Sequence, residues 1–254
     1  MLNQLKNIFN KTENRQDVGL GMSDLPKNFY SSKSNFKSED FKKLLTEYFA
    51  PKIHELGFKG KGYFYYRENG IYTEILSFWT YRSGGAIQAD LLVKFNNITY
   101  PPDHLTIKTV KLKSEDCEFW KKLSPVDNSE AWFWLFGEEV KTNIIIIKDM
   151  WDVFIKYGIS YFDRFKNHEE YLRKFQPKEL SNTQLLNETK EFTHRLLFGR
   201  GAISVIYFFM KYWYNQNDKG RACEFAVIGI DKSYSKWNGD YKTEFQDCIN
   251  NRDE

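Results

Sequence analysis

Asn69-Gly70 is the feature that most narrows what this chain can fold into, because aromatic and β-branched residues flank the dipeptide on both sides. A type I′ turn needs positive φ at both central positions, which Asn and Gly tolerate, and its twist matches that of the strands it joins. The flanking runs Tyr63–Arg67 and Ile71–Tyr81 therefore read as the arms of a β-hairpin. Ser83-Gly84-Gly85 supplies a second turn into Ala86–Phe95, and further strands are expected at Thr106–Leu112, after Pro101-Pro102, and at Ala131–Phe136. Consecutive strands joined by short turns predict an antiparallel sheet of about four to five strands rather than βαβ units.

Helical periodicity brackets these strands. Phe41, Leu44, Leu45, Tyr48, Phe49, Ile53 and Leu56 form one apolar stripe, predicting a helix over Glu39–Leu56. Ser38 is its expected N-cap, Glu39 and Asp40 suit the positive end of the dipole, and Gly57 suits the C′ position. Pro51 should kink the helix, since it removes the bond to Glu47 and crowds that carbonyl. From Glu138 the helical period returns, with Val140, Ile144, Ile147, Trp151, Phe154 and Ile155 in a stripe that is expected to end at Gly158. A short helix over His168–Phe175 follows, with Asn167 as N-cap, and beyond Gln176-Pro177 the chain reads as helices at Thr183–Phe198, Ala202–Tyr214 and Lys219–Lys232. Ala222, Ala226 and Gly229 give the last of these a small-residue face for close approach. Ala202–Tyr214 has only Ser204 and Lys211 as polar interruptions, which predicts burial on most sides, the alternative being an aromatic surface that awaits a partner. The expected class is α+β: a polar arm or linker at 1–37, an α+β domain at 38–176, and an all-helical extension at 177–254 packing on it.

Composition narrows the function classes. With 41 % apolar and 18 % aromatic residues in 254, the chain has ample material for a core. A net charge of +3, from 37 basic and 34 acidic side chains interspersed, gives no strong nucleic-acid signal. The three cysteines, Cys117, Cys223 and Cys248, are far apart and lack CxxC spacing, which argues against a disulfide scaffold or zinc site and for a cytoplasmic location. The start, Met1–Asn10, has its apolar residues broken by Asn, Gln and Lys, unlike a signal peptide. No apolar run reaches the roughly 20 residues of a membrane span.

Motifs that promise chemistry fail one by one. Gly57-Phe58-Lys59-Gly60-Lys61-Gly62 has the glycines of a phosphate loop, but the order is helix, glycines, strand, the reverse of what such a loop needs. Lys61-Gly62-Tyr63-Phe64-Tyr65-Tyr66 resembles the strand on which RNA-recognition modules stack bases, although a helix stands where the partner aromatic strand belongs. This leaves nucleic-acid binding through Lys59, Lys61, Tyr63 and Tyr65 as an alternative reading. Asp103 followed by Ile107-Lys108 suggests a metal-dependent nuclease, but Thr106 occupies the place of the second carboxylate. Glu74 and Asp90, on neighbouring strands, could share a face and with Arg67 make an enzyme site between sheet and helices, although acids in a sheet are more often solvated edge residues. The four histidines are dispersed, no Gly-x-Ser-x-Gly elbow exists, and Cys223 sits on a small-residue helix face. No catalytic residue, metal or cofactor is assigned.

The run Phe49-Ala50-Pro51-Lys52-Ile53-His54-Glu55-Leu56-Gly57-Phe58-Lys59-Gly60-Lys61-Gly62-Tyr63-Phe64-Tyr65-Tyr66-Arg67 resembles the opening of the bacterial domain of unknown function 4304 family, a helix then Leu-Gly-Phe with lysines then an aromatic strand ending near Arg. Lys156-Tyr157-Gly158-Ile159-Ser160-Tyr161-Phe162-Asp163-Arg164-Phe165 is similar to a later segment of the same family, and the likeness spans Phe41 to Phe175. The resemblance implies an α+β fold and supplies no activity or catalytic residue. Small bacterial domains of this kind often belong to toxin-neutralising or defence-related sets. The resulting expectation is a non-catalytic protein-binding domain, immunity- or defence-like, whose partner is a toxin or defence component and whose interface draws on the aromatic strands and on Phe208–Tyr214.

Overall fold

The computed structural model of the chain describes residues 36–81, 84–100, 117–125, 132–180, 202–233 and 239–251. Helix α1 opens as Ser38–Leu44, widens into one π turn at Leu45–Phe49 and closes as Ala50–Glu55. Lys37 rather than Ser38 is its N-cap, and no side chain caps it, so the dipole is met by Glu39 and Asp40 in the first turn. Where a kink is expected at Pro51, the helix carries a π turn just before it and continues. Pro51 then falls in the first turn of the next α segment, where a missing N–H costs little.

Among the described residues six antiparallel strands follow: β1 (Lys59–Lys61), β2 (Phe64–Asn69), β3 (Tyr72–Thr80), β4 (Ala86–Phe95), β5 (Phe119–Lys122) and β6 (Trp134–Leu135). The order across the sheet is β1-β2-β3-β4-β5, and β6 pairs with the start of β4, so β4's outer edge is shared between two short strands. The hairpin sits at the expected place, but Asn69 pairs with Tyr72, which leaves Gly70-Ile71 as the two-residue loop. Only Gly70, at φ +62°, has positive φ there, the pattern of a II′ rather than a I′ turn. β4 matches its expected bounds, and the strand expected at Ala131–Phe136 contracts to two residues. β1 and β5 were not anticipated, because Lys-Gly-Lys and Phe-Trp-Lys-Lys are too short to show a period. The expected strand at 106–112 and helix at 183–198 lie outside the described residues, as do positions 1–35 of the arm.

The helices after the sheet are α2 (Val140–Val153, a π turn at Phe154–Gly158, then Ile159–Asp163), α3 (His168–Arg173), α4 (Pro177–Leu180), α5 (Ala202–Asn215), α6 (Lys219–Lys232) and α7 (Gly239–Asn250). Gly158 does not end α2. It is needed for closeness instead, since a Cβ there would lie 2.5 Å from the Phe154 ring. Asn167 is the N-cap of α3 as expected. α7 lies within the tail expected to be helical, although its bounds are not legible in the sequence.

α1, α2, α3 and α5 pack on one face of the sheet, and α4, α6 and α7 pack against α5 and one another. Phe49 of α1 meets Tyr65 and Phe78 of the sheet and Trp151 and Phe154 of α2, all at ring-centroid distances of 5.4–6.1 Å. Phe208 of α5 lies 5.2 Å from Phe95 and 5.5 Å from Phe119, so the C-terminal helices share the sheet's core. Val205 to Trp213 are buried on α5 except for Lys211, which answers the question of an aromatic helix awaiting a partner: its rings are core. Tyr214, 37 % exposed, is the exception at its end.

Candidate functional site

Strand register decides where each candidate residue goes. Tyr65, Arg67, Tyr72, Glu74, Leu76 and Phe78 alternate onto the helix-covered face, with Ile87, Ala89, Leu91, Val93 and Phe95 opposite them on β4. Lys59, Lys61, Phe64, Tyr66, Ile75, Ser77, Trp79, Gln88, Asp90, Leu92, Trp120 and Lys122 belong to the second face. Glu74 and Asp90 therefore lie on opposite faces, because Glu74 pairs with Val93 while Asp90 pairs with Ser77. The enzyme site imagined from Arg67, Glu74 and Asp90 is not assembled. Nor are the two acids solvated edge residues: both are fully buried.

Arg67 and Glu74 form a structural lock. Arg67 Nε and Nη2 both reach Glu74 Oε2 at 2.7 Å, Nη1 donates to the Leu56 carbonyl at 2.8 Å, and the guanidinium lies 4.6 Å from the Phe58 ring centroid. Gly57, at φ +83°, turns the chain between them. One arginine thus ties the C-terminal end of α1 to the sheet. Burial pushes the Glu74 carboxyl above its ordinary range, and the Arg67 charge pulls against that shift. An arginine fully engaged in this way is poorly placed to receive a ligand.

The aromatic run Tyr63–Tyr66 is out of phase with a base-stacking role. Tyr65 is buried in the core against Phe49 and Phe78. Tyr63 donates its hydroxyl hydrogen to the Ser38 carbonyl and lies under the Lys42 ammonium, and burial, with Glu39 adding to it, raises its hydroxyl to about 12. The aromatics that share a face with Lys59 and Lys61 are Phe64 and Tyr66. Both lysines are exposed, and Lys59 makes only a loose pair with Glu68 at 3.7 Å.

The second face centres on Asp90 and two tryptophans. Trp79 Nε1 donates to Asp90 Oδ2 at 2.7 Å, Gln88 Nε2 donates to Oδ1 at 3.1 Å, and the Trp120 side chain is a further donor. Burial raises the Asp90 carboxyl above its ordinary value, against the pull of these donors and of Lys122. With its oxygens taken up by fixed donors, Asp90 orients rings rather than moving protons. Trp79 is 51 % exposed although its indole N–H is tied down. Beside it, Phe64, Tyr66 and Trp120 are half-buried over Ile75, Leu92 and Cys117. Trp79 and Trp120 were not singled out from the sequence. Tyr63–Arg67 carries rings at four successive positions, so alternation could not say which set faces the core.

Another buried carboxylate stands at the edge of β5. Glu118 Oε2 accepts from the Phe95 N–H at 2.7 Å and Oε1 from the Tyr100 hydroxyl at 3.1 Å. Burial raises it to about 7, with those donors and Lys94 opposing. Asp103, Thr106 and Lys108 lie outside the described residues, as do His104 and His194. Among the described residues no group of three or more His, Cys, Asp and Glu side chains is placed to hold a metal ion, and no helix is long and apolar enough to cross a membrane. No family model, curated protein or solved structure matches the chain.

Proposed function

We propose that this protein is a non-catalytic binding module, immunity- or defence-like and cytoplasmic, that engages another protein through the second face of its sheet. The observation that carries the reading is Trp79: a large ring, 51 % exposed, whose orientation is fixed by a hydrogen bond to a fully buried aspartate. A ring held before binding loses little conformational freedom on binding, and Trp and Tyr dominate the energetics of protein interfaces. Phe64, Tyr66 and Trp120 extend the apolar patch, and Lys59 and Lys61 add a positive rim that suits a partner with acidic residues around its contact. The three cysteines, far apart in the sequence and without CxxC spacing, fit a reducing compartment.

A specific observation favours single-stranded nucleic acid as the second reading: two exposed lysines and two rings share rows of one sheet face. A photo-crosslinking residue at position 61, introduced in the native host, distinguishes the two. The protein reading expects one polypeptide adduct, reduced severalfold by charge reversal at the neighbouring Lys59. Nuclease-sensitive adducts would replace it with the second reading, and no adduct at all would refute the surface.

A further inference from the structure

The three cysteines look unrelated in the sequence, yet the fold brings two of them together. α6 and α7 approach closely because Gly229 leaves room for the Phe245 ring, which a Cβ would meet at 2.4 Å. One end of that contact places Cys223 Sγ 3.4 Å from the Cys248 carbonyl oxygen, across 25 positions of chain. The neighbouring Cys223 thiol acts on Cys248, adding to the burial that raises it. Both are buried, but Cys248 lines a surface cleft of about 160 Å³ whose walls include Met210, Lys211, Tyr214 and Glu244. Lys211 points its ammonium at Glu244, 2.8 Å away, and its charge favours a thiolate at Cys248.

We propose that Cys223 and Cys248 are a modification site, a thiol pair that a peroxide oxidises to a disulfide stapling α7 onto α6. The Cys248 thiolate attacks one peroxide oxygen, the O–O bond breaks, and the departing hydroxide takes the thiol proton to leave as water. Cys248 is then a sulfenic acid. The Cys223 thiolate attacks that sulfur, the S–O bond breaks, and the second hydroxide leaves as water with the Cys223 proton. Two thiols lose two electrons in all, and hydrogen peroxide gains them. Burial and the neighbouring thiol push Cys248 up to about 12, so its thiol stays protonated at neutral pH and responds to sustained rather than fleeting oxidant. The staple tethers α7 to α6 and restricts the unfolded chain, so the oxidised protein is the more stable form.

The test is a thiol count on the intact protein after prolonged hydrogen peroxide, followed by denaturation. All three cysteines of the chain are accounted for in this count. The expected result is a fall from three titratable thiols to one, a peptide pair joined between Cys223 and Cys248, full reversal by dithiothreitol and a melting midpoint several degrees higher when oxidised. Cys117→Ser should behave as the parent does, and Cys223→Ser should leave a dimedone-reactive sulfenic acid at Cys248. Three surviving thiols, or a bridge that includes Cys117, would overturn the proposal. These outcomes come from the unsubstituted chain, so a variant that fails to fold does not affect them.

Discussion

Glu118 makes the stability of this protein depend on pH between mildly acidic and neutral conditions. Its carboxyl is fully buried, and burial raises it from 4.5 to about 7. In the unfolded chain it returns to its ordinary value. Below that value both states hold the proton and the group adds no pH dependence. Between about 4.5 and about 7 the folded state keeps a proton that the unfolded state has lost, so stability falls as pH rises through this window. A shift of this size corresponds to about 3 kcal/mol, fully present in acid and gone above the raised value. Glu74 and Asp90 are also raised, so the parent protein slopes more steeply than Glu118 alone requires. Glu118→Gln isolates the one contribution: its amide oxygen still accepts the Phe95 N–H, and its NH2 can donate to the Tyr100 oxygen. Urea denaturation followed by tryptophan fluorescence, at intervals from mildly acidic to mildly basic pH, measures the difference between variant and parent. That difference should move in the variant's favour by about 2–3 kcal/mol as pH rises through the window. A difference that stays flat with pH would refute the argument, whatever the absolute stabilities.

Two further substitutions probe the contacts that set the site's frame. Arg67→Met leaves a carboxylate with a side-chain exposure of 1 % facing no counter-charge, and it should cost about 3–5 kcal/mol in chemical denaturation, whereas Arg67→Met with Glu74→Met should recover most of the loss. Equal losses in the single and double variants would show that the ion pair is not what matters there. Gly60→Ala places a Cβ 2.2 Å from the Phe64 carbonyl oxygen at a residue with φ +114°, so about 1–3 kcal/mol should be lost and amide protection along β1 should vanish. Unchanged exchange rates at Tyr66 and Lys59 would contradict it.

Much of the fold was legible because it rests on local chemistry. β4 and α6 fall on their expected bounds, since one alternates over ten residues and the other has Asp218 at its N-cap. The hairpin at residues 69 to 71 follows from a glycine between two aromatic arms. These depend on neighbours in the chain, and period and turn chemistry report neighbours well. β1, β5 and the bounds of α7 escaped because short or polar segments are stabilised by the partners they pair with rather than by their own propensity.

The site was less legible, and the reason is physical. From Tyr63 to Arg67 both alternating sets of residues suit a core, so the sequence could not say that Tyr65 and Arg67 turn toward the helices while Phe64 and Tyr66 turn away. Tertiary packing settled that, and with it placed Glu74 and Asp90 on opposite faces of one sheet. It also buried the rings of α5, left Trp79 half exposed, and set Cys223 beside Cys248 across two helices. Local sequence determined the elements and the antiparallel hairpins of an α+β fold. Which side each residue faces, and which distant side chains meet, depends on long-range burial and was decided only when the elements packed.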